Sequence, residues 1–307
     1  EGLGTLLKAR QKDSLLLSTE AGRNLAQIVS EKPGIGMFLK WLQAKNEGQF
    51  GMTEIDTGQV MKNIWAEHNQ FADDHNEPGK FSAFIGWEWT STLAGNNLHR
   101  ILFTPNNAAE SNQYIPYSAT HSSNPEDLWA WLEETTEKYG VDLVSIPHNS
   151  NVSGGLMFPE DNDSKGNPLD VSYAKTRAKW EPIVEITQIK GTSEAHPAFS
   201  PNDEYANFEL WDILLRTEGT NKAFRSTPNR ADFVRYALQR GLSLEESLGT
   251  NPYKFGLIGS SDTHTALSSV DEDNFTGKNL MDGGAADKSK AWIADVLHID
   301  FSSSGYA

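Results

Sequence analysis

The chain has 307 residues, 37% of them hydrophobic and 22% charged, with a formal net charge of −16. That composition fits a folded globular protein, and the charge disfavours nucleic acid and anionic membranes as partners while drawing metal ions. Cys is absent, which excludes disulfides, thiolate catalysis and Cys-type zinc sites, so any metal must be held by His, carboxylate and water.

In chain order, residues 3–46 carry helical periodicity. Leu25, Ile28 and Val29 recur at helical spacing, Pro33-Gly34 breaks the run, and Met37, Phe38, Trp41 and Leu42 form a second apolar stripe. Residues 57–68 predict a further helix with Val60, Ile64 and Trp65 inward. Segment 1–80 thus reads as helical scaffold or an insertion. Residues 81–89 (FSAFIGWEW) and 98–103 predict two strands joined as a hairpin through 93–97. Asn124-Pro125 starts a helix through Tyr139 that Gly140 ends.

Residues 141–147 (VDLVSIP) then predict a buried strand, 149–171 a loop, and 182–189 (PIVEITQI) another strand. Residues 203–215 predict a helix. A helix over 231–241 is expected to close at Gly241, followed by a short one at 244–248. Residues 255–259 (FGLIG) read as a strand, 271–288 as a polar loop and 292–301 as a last strand. Helices alternating with buried strands predict α/β architecture with largely parallel strands. An incomplete or distorted barrel is the first expectation and an open sheet the second.

Ligand-type residues stand at the ends of these apolar runs. Glu88 lies in GWEW, His99 in NNLHR, His148 in IPHN, and Asp262 and His264 in SSDTH. Strand residues alternate faces, so Asp262 and His264 project the same way if the extended geometry persists. A lone Asp-x-His equally suits a turn whose Asp caps a helix. Glu, His and Asp together form a nitrogen and oxygen set suited to Zn, Mn or Fe. A paired site would clamp the attacking and leaving oxygens of an in-line displacement.

A second cluster spans 184–197 (VEITQIKGTSEAHP). Glu185 lies mid-strand, where a carboxylate is unfavourable unless paired or metal-bound. Lys190 can neutralise a phosphate or carboxylate, and Glu194 and His196 can act as acid, base or extra ligands. A solvated loop with a Lys–Glu pair explains the same residues without chemistry. Arg100, beside His99, can grip an oxyanion in bidentate fashion. His68, His75, His121 and His298 sit in polar contexts and read as uninvolved.

The stretches GWEWTS, NNLHR, IPHNSN, VEITQIKGTSEAHP, NPYKFGLIGSSDTHT and the terminal DFSSSGYA occur in an order that resembles the PHP (polymerase and histidinol phosphatase) superfamily. More closely they resemble its bacterial branch called domain of unknown function 3604. The resemblance implies a distorted (βα)7 barrel with a di- or trinuclear metal cluster at its mouth, and hydrolysis of phosphate esters. It further implies Glu88 as a bridging carboxylate, His99 and His148 as single-His ligands, and Asp262 and His264 as the closing Asp-x-His motif. The opening His-x-His and Asp-His motifs of that superfamily do not occur, so the chain is expected to be a fragment of a single PHP-like domain, cut at both ends.

The expected function is a metal-dependent phosphoesterase acting on a phosphorylated small molecule. A non-catalytic ligand-binding barrel and a metal-dependent amide or ester hydrolase are the alternatives. No run of transmembrane length is present, and absent Cys leans towards a periplasmic or secreted location.

Overall fold

A computed structural model of the chain describes residues 14–18, 20–31, 58–211, 213–214, 224–225 and 227–264. The expected second helical stripe at 37–42, the loop at 271–288 and the last strand at 292–301 lie outside the described residues. The chain divides into two units, Glu1–Ile85 with Thr104–Pro116, and Gly86–Phe103 with Tyr117–Ala307.

The first unit contains helices α1 (Ser14–Leu17), α2 (Glu20–Glu31), α3 (Gly58–His75) and α4 (Ala108–Ser111). Trp65, Asn69 and Asp73 are spaced by four and so share one face of α3. That face meets α4: Trp65 Nε1 donates to Ser111 O at 2.9 Å, Asn69 Nδ2 to Asn112 Oδ1 at 2.8 Å, and Ala108 N to Asp73 Oδ2 at 2.7 Å. A capping box between Asn107 and Glu110 starts α4.

In the second unit, β1 (Ile85–Trp89), β2 (Arg100–Thr104) and β3 (Val144–Pro147) form a sheet in that order. Gly86 permits the close approach of β1 to β2, because a Cβ there would stand 2.5 Å from Leu102 O. β2 and β3 run antiparallel, with Arg100 opposite Pro147 and Phe103 opposite Val144. Between them lies α5 (Pro125–Tyr139), which starts with Pro in its first turn and stops at Gly140, φ 66°. After β3 comes α6 (Val171–Trp180), capped by Asp170, whose side chain accepts from Tyr173 N. A second sheet holds β4 (Ile183–Gln188) and β5 (Gly191–Thr192), paired antiparallel. Two-residue strands β6 (Ile213–Leu214) and β7 (Phe224–Arg225) pair with each other. Helix α7 (Val234–Leu248) then leads to β8 (Gly256–Gly259), which runs parallel to β4 on the side away from β5. β3 lies beside β4.

The expected (βα)7 barrel is not what forms. Among the described residues the strands make two three-stranded sheets and one two-stranded ribbon, with no closed barrel. The link from β1 to β2 holds only a 3₁₀ turn, Leu93–Gly95, and is too short for a parallel crossover. The longer link from β2 to β3 contains a helix, yet it returns the chain antiparallel. Helix–strand alternation thus does not settle strand direction here, and only β4 with β8 makes a parallel pair among those described.

Two helix expectations also change. Residues 203–215 form successive turns ending in β6, not a helix. The helix expected to end at Gly241 continues through it to Leu248. Gly241 is inside the helix because Asn251 packs against it: a Cβ there would lie 2.2 Å from Asn251 Oδ1. The stop is Gly249, φ 71°.

α5, α6 and α7 bury one continuous apolar cluster that includes Trp89, Leu128, Trp129, Leu132, Phe158, Trp180, Val184, Val234 and Tyr253. Each such aliphatic or aromatic side chain contributes about 1.5–3 kcal/mol on burial. No helix among the described residues is long and apolar enough to cross a membrane.

Candidate metal centre

The β2–β3 ladder brings two histidines together. Arg100 pairs with Pro147, so one step further His99 faces His148, and His148 N donates to His99 O at 3.3 Å. Their rings meet edge to face, with centroids 5.7 Å apart. Glu88, from β1, completes the group. Its Oε1 lies 2.8 Å from His99 Nδ1 and 3.3 Å from His148 Nε2. One donor atom from each of the three residues falls within 4.8 Å of the others.

The three side chains are shielded: His99 is 15% exposed, His148 2% and Glu88 25%. None of the four imidazole nitrogens makes a hydrogen bond of acceptable geometry, although each is buried. Unbonded imidazole nitrogens are unfavourable in a protein interior. Facing a carboxylate across a short gap, they suit a divalent cation that accepts two nitrogens and one oxygen. The residues present therefore fit Zn, Mn or Fe, the ions expected from their types.

Electrostatics follow the same convergence. Burial works to raise the Glu88 pKa, but the His148 and His99 imidazoles outweigh it and hold the carboxyl well below its usual range. Burial depresses His99 below its ordinary value, against the pull of Glu88. Burial also opposes a charge on His148, yet Glu88, Glu185 and Asp262 together raise its pKa.

Around the three donors the chain makes two enforced turns. Asn149, immediately after His148, sits at φ 57°, and Asp262 sits at φ 51°. Such left-handed geometry is disfavoured outside Gly and persists where the surroundings impose it. Asp262 therefore breaks the extended geometry expected for the Asp-x-His pair, and His264 is more exposed than Asp262, at 39% against 8%. Their atoms still approach: His264 Nε2 lies 3.4 Å from Asp262 Oδ1. Lys190 Nζ lies 2.8 Å from Asp262 Oδ2.

The Lys190 turn is fixed to the His148 loop by Asn151. Asn151 Nδ2 donates to Lys190 O at 3.0 Å and to Trp211 O at 2.8 Å, while Ser193 Oγ donates to Asn151 Oδ1 at 2.9 Å. The sequence shows Asn151 only as a turn residue, because the contact spans about forty positions and leaves no local signal.

A family model with the description "Protein of unknown function (DUF3604)" matches residues 1–307. The chain belongs to the DUF3604 family. No curated protein and no solved structure matches it.

The remaining candidate residues of this DUF3604 chain have other engagements. Arg100 points away from solvent into a buried network: its Nε lies 2.9 Å from Glu181 Oε1, and its Nη1 donates to Leu98 O at 2.5 Å. Trp129 Nε1 donates to the same Glu181 oxygen at 2.9 Å, and Arg177 Nη2 stands 3.0 Å from Glu181 Oε2. Glu194 pairs with Arg235 at 2.7 Å at the surface. His196 Nδ1 accepts from Ala198 N at 3.1 Å, and its ring packs against Phe199 and Phe233. Glu185 is buried, with Oε2 accepting from Ser260 Oγ and Oε1 lacking a hydrogen bond. Burial raises its pKa.

Sequence reasoning missed Glu181, Arg177 and Ser260. Glu181 carried one faint signal, a single acid between Trp180 and Pro182 at the edge of an apolar run.

Proposed function

We propose that this DUF3604 chain is a metal-dependent hydrolase of phosphate esters, with Glu88, His99 and His148 holding the ion. The observation that carries this reading is the convergence of one carboxylate and two shielded imidazoles whose nitrogens make no hydrogen bond. The order of the strand-end motifs, which resembles that of the PHP hydrolases, supports phosphate esters over other substrates.

A bound Zn, Mn or Fe ion would supply Lewis acidity and a water made acidic near neutral pH. The residues of the chain have distinct tasks. Glu88 supplies the oxygen donor and compensates positive charge. His99 and His148 supply nitrogens whose relative position is set by the β2–β3 register. Lys190 contributes positive charge beside the donors, where an anionic substrate group can be oriented.

Metal analysis and an activity panel test the reading. The protein should retain at least one equivalent of a transition metal, and Glu88→Gln should lose it. Turnover of an aryl phosphate should exceed that of aryl esters and amides, and Asp262→Ala should reduce it at least about a hundredfold, the scale of losing one aimed charge. Preference for esters or amides would favour a carboxylic hydrolase. Bound metal with no turnover of any ester or amide would leave a binding protein.

A further inference from the structure

The ion pair Lys190–Asp262 stands beside the three donors and is not required by them. The two side chains are 17% and 8% exposed, and their charged atoms are 2.8 Å apart. Lys190 is close enough to His99 to depress its basicity, and Asp262 close enough to His148 to raise it. Both therefore belong to the same pocket as Glu88, His99 and His148.

The Asp262 end of this pocket has the donors of a cation site. Asp262 supplies one carboxylate and His264 approaches it at 3.4 Å. Glu185 supplies a second carboxylate, 5% exposed, and its Oε1 has no hydrogen-bond partner. Its other oxygen accepts from Ser260, two residues before Asp262, so β4 and the segment after β8 are tied at this point. Glu185 and Asp262 are near enough that each carboxylate disfavours charge on the other, with the Asp262 charge raising the Glu185 pKa. Two acids held together in a shielded pocket need a cation. The cation present is the Lys190 ammonium, held there by the Asn151 contact to its backbone carbonyl.

We propose that the Lys190 ammonium is a built-in second cation: it fills the Asp262 end of the centre and restricts the site to one divalent ion at Glu88, His99 and His148. This rests on the metal reading given above for the first ion. It predicts a mononuclear centre in which a fixed single charge, supplied by the chain, takes the place of a second metal. It also predicts a latent second site, since removing the ammonium leaves Asp262, Glu185 and His264 to a divalent ion.

The test is a count. The 307-residue chain is stripped of metal, equilibrated with Mn²⁺ and dialysed, and bound Mn is measured by elemental analysis and by electron paramagnetic resonance. The wild type should hold one isolated ion, Lys190→Arg one, and Lys190→Met two, with the resonance of a coupled pair. Two ions in the wild type, or one in a folded Lys190→Met, would overturn the proposal. If Lys190→Met does not fold, Asp262→Asn decides: the count stays at one if Lys190 is the second cation, and falls from two to one if Asp262 is a metal ligand. No ion in any variant sinks the metal reading itself. Loss of the ion in Glu88→Gln, with one ion in the wild type, keeps that reading whatever Lys190 does.

Discussion

Arg100 is one residue from His99, and its guanidinium is committed to Glu181, with both side chains at most 1% exposed. A guanidinium so placed positions β2 and through it His99. Removing one partner from a buried ion pair typically destabilises by about 3–5 kcal/mol, because the other charge is left behind. Arg100→Met should therefore lower the unfolding free energy by about that much, measured by urea titration. Arg100→Lys should recover only part of it, since an ammonium cannot reproduce the separate Nε and Nη1 contacts. A variant of normal stability that had lost only turnover would make Arg100 a substrate contact. The sign of the pH effect is also fixed. Burial would raise the Glu181 pKa, but Arg100 and Arg177 hold it below its ordinary value. The pairing thus contributes stability above the unfolded pKa, and that contribution is lost as pH falls through the folded value. The loss should be smaller in Arg100→Met.

Between the His148 loop and α7, Asp232 joins two elements. It is the third residue of a capping box that starts at Asn229, and its Oδ2 accepts from Asn229 N at 2.8 Å. Its Oδ1 accepts from Ser153 Oγ at 2.9 Å and from Gly155 N at 2.6 Å. Burial raises its pKa from 3.8 to about 6, against the lowering effect of those donors. For a raised folded pKa the protonated group's contribution is full below the unfolded value and is lost as pH rises through the folded one. The stability of wild type relative to Asp232→Asn should therefore fall between pH 4 and 6 and then level off. The total change should be about 3 kcal/mol, from about two pKa units at 1.36 kcal/mol each. A flat difference across that range would show that Asp232 stays ionised in the folded state. Local signals of this kind separate legible elements from illegible ones. Asn124-Pro125 and Gly140 bound α5 within the residues that form it, so the sequence shows its ends. Gly241 carries the same stop signal but answers to Asn251, a residue outside the helix, and the helix runs on.

For the whole chain, the donor types were legible and their pairing was not. Glu88, His99 and His148 each follow or lie in an apolar run, which is local information. That His99 faces His148 depends on β2 and β3 being antiparallel with Arg100 opposite Pro147, which no spacing states. Strand direction is a property of the sheet, and reading it as parallel produced the barrel expectation. All three donors fall in the unit Gly86–Phe103 with Tyr117–Ala307, while α3 falls in the other. An ion bound by these donors stabilises that unit by mass action, about 2.7 kcal/mol at a free concentration one hundred times Kd. Backbone amides of β1, β2 and β3 that exchange through unfolding of that unit should then slow about a hundredfold on addition of Mn²⁺, whereas amides in the middle of α3 should not change. Glu88→Gln should show neither effect. The comparison also controls for the net charge of −16, which collects cations without specificity over the whole surface. Diffuse binding would slow exchange in both units and survive in Glu88→Gln. Slowing confined to β1, β2 and β3 and abolished by that single substitution places the ion among the three donors.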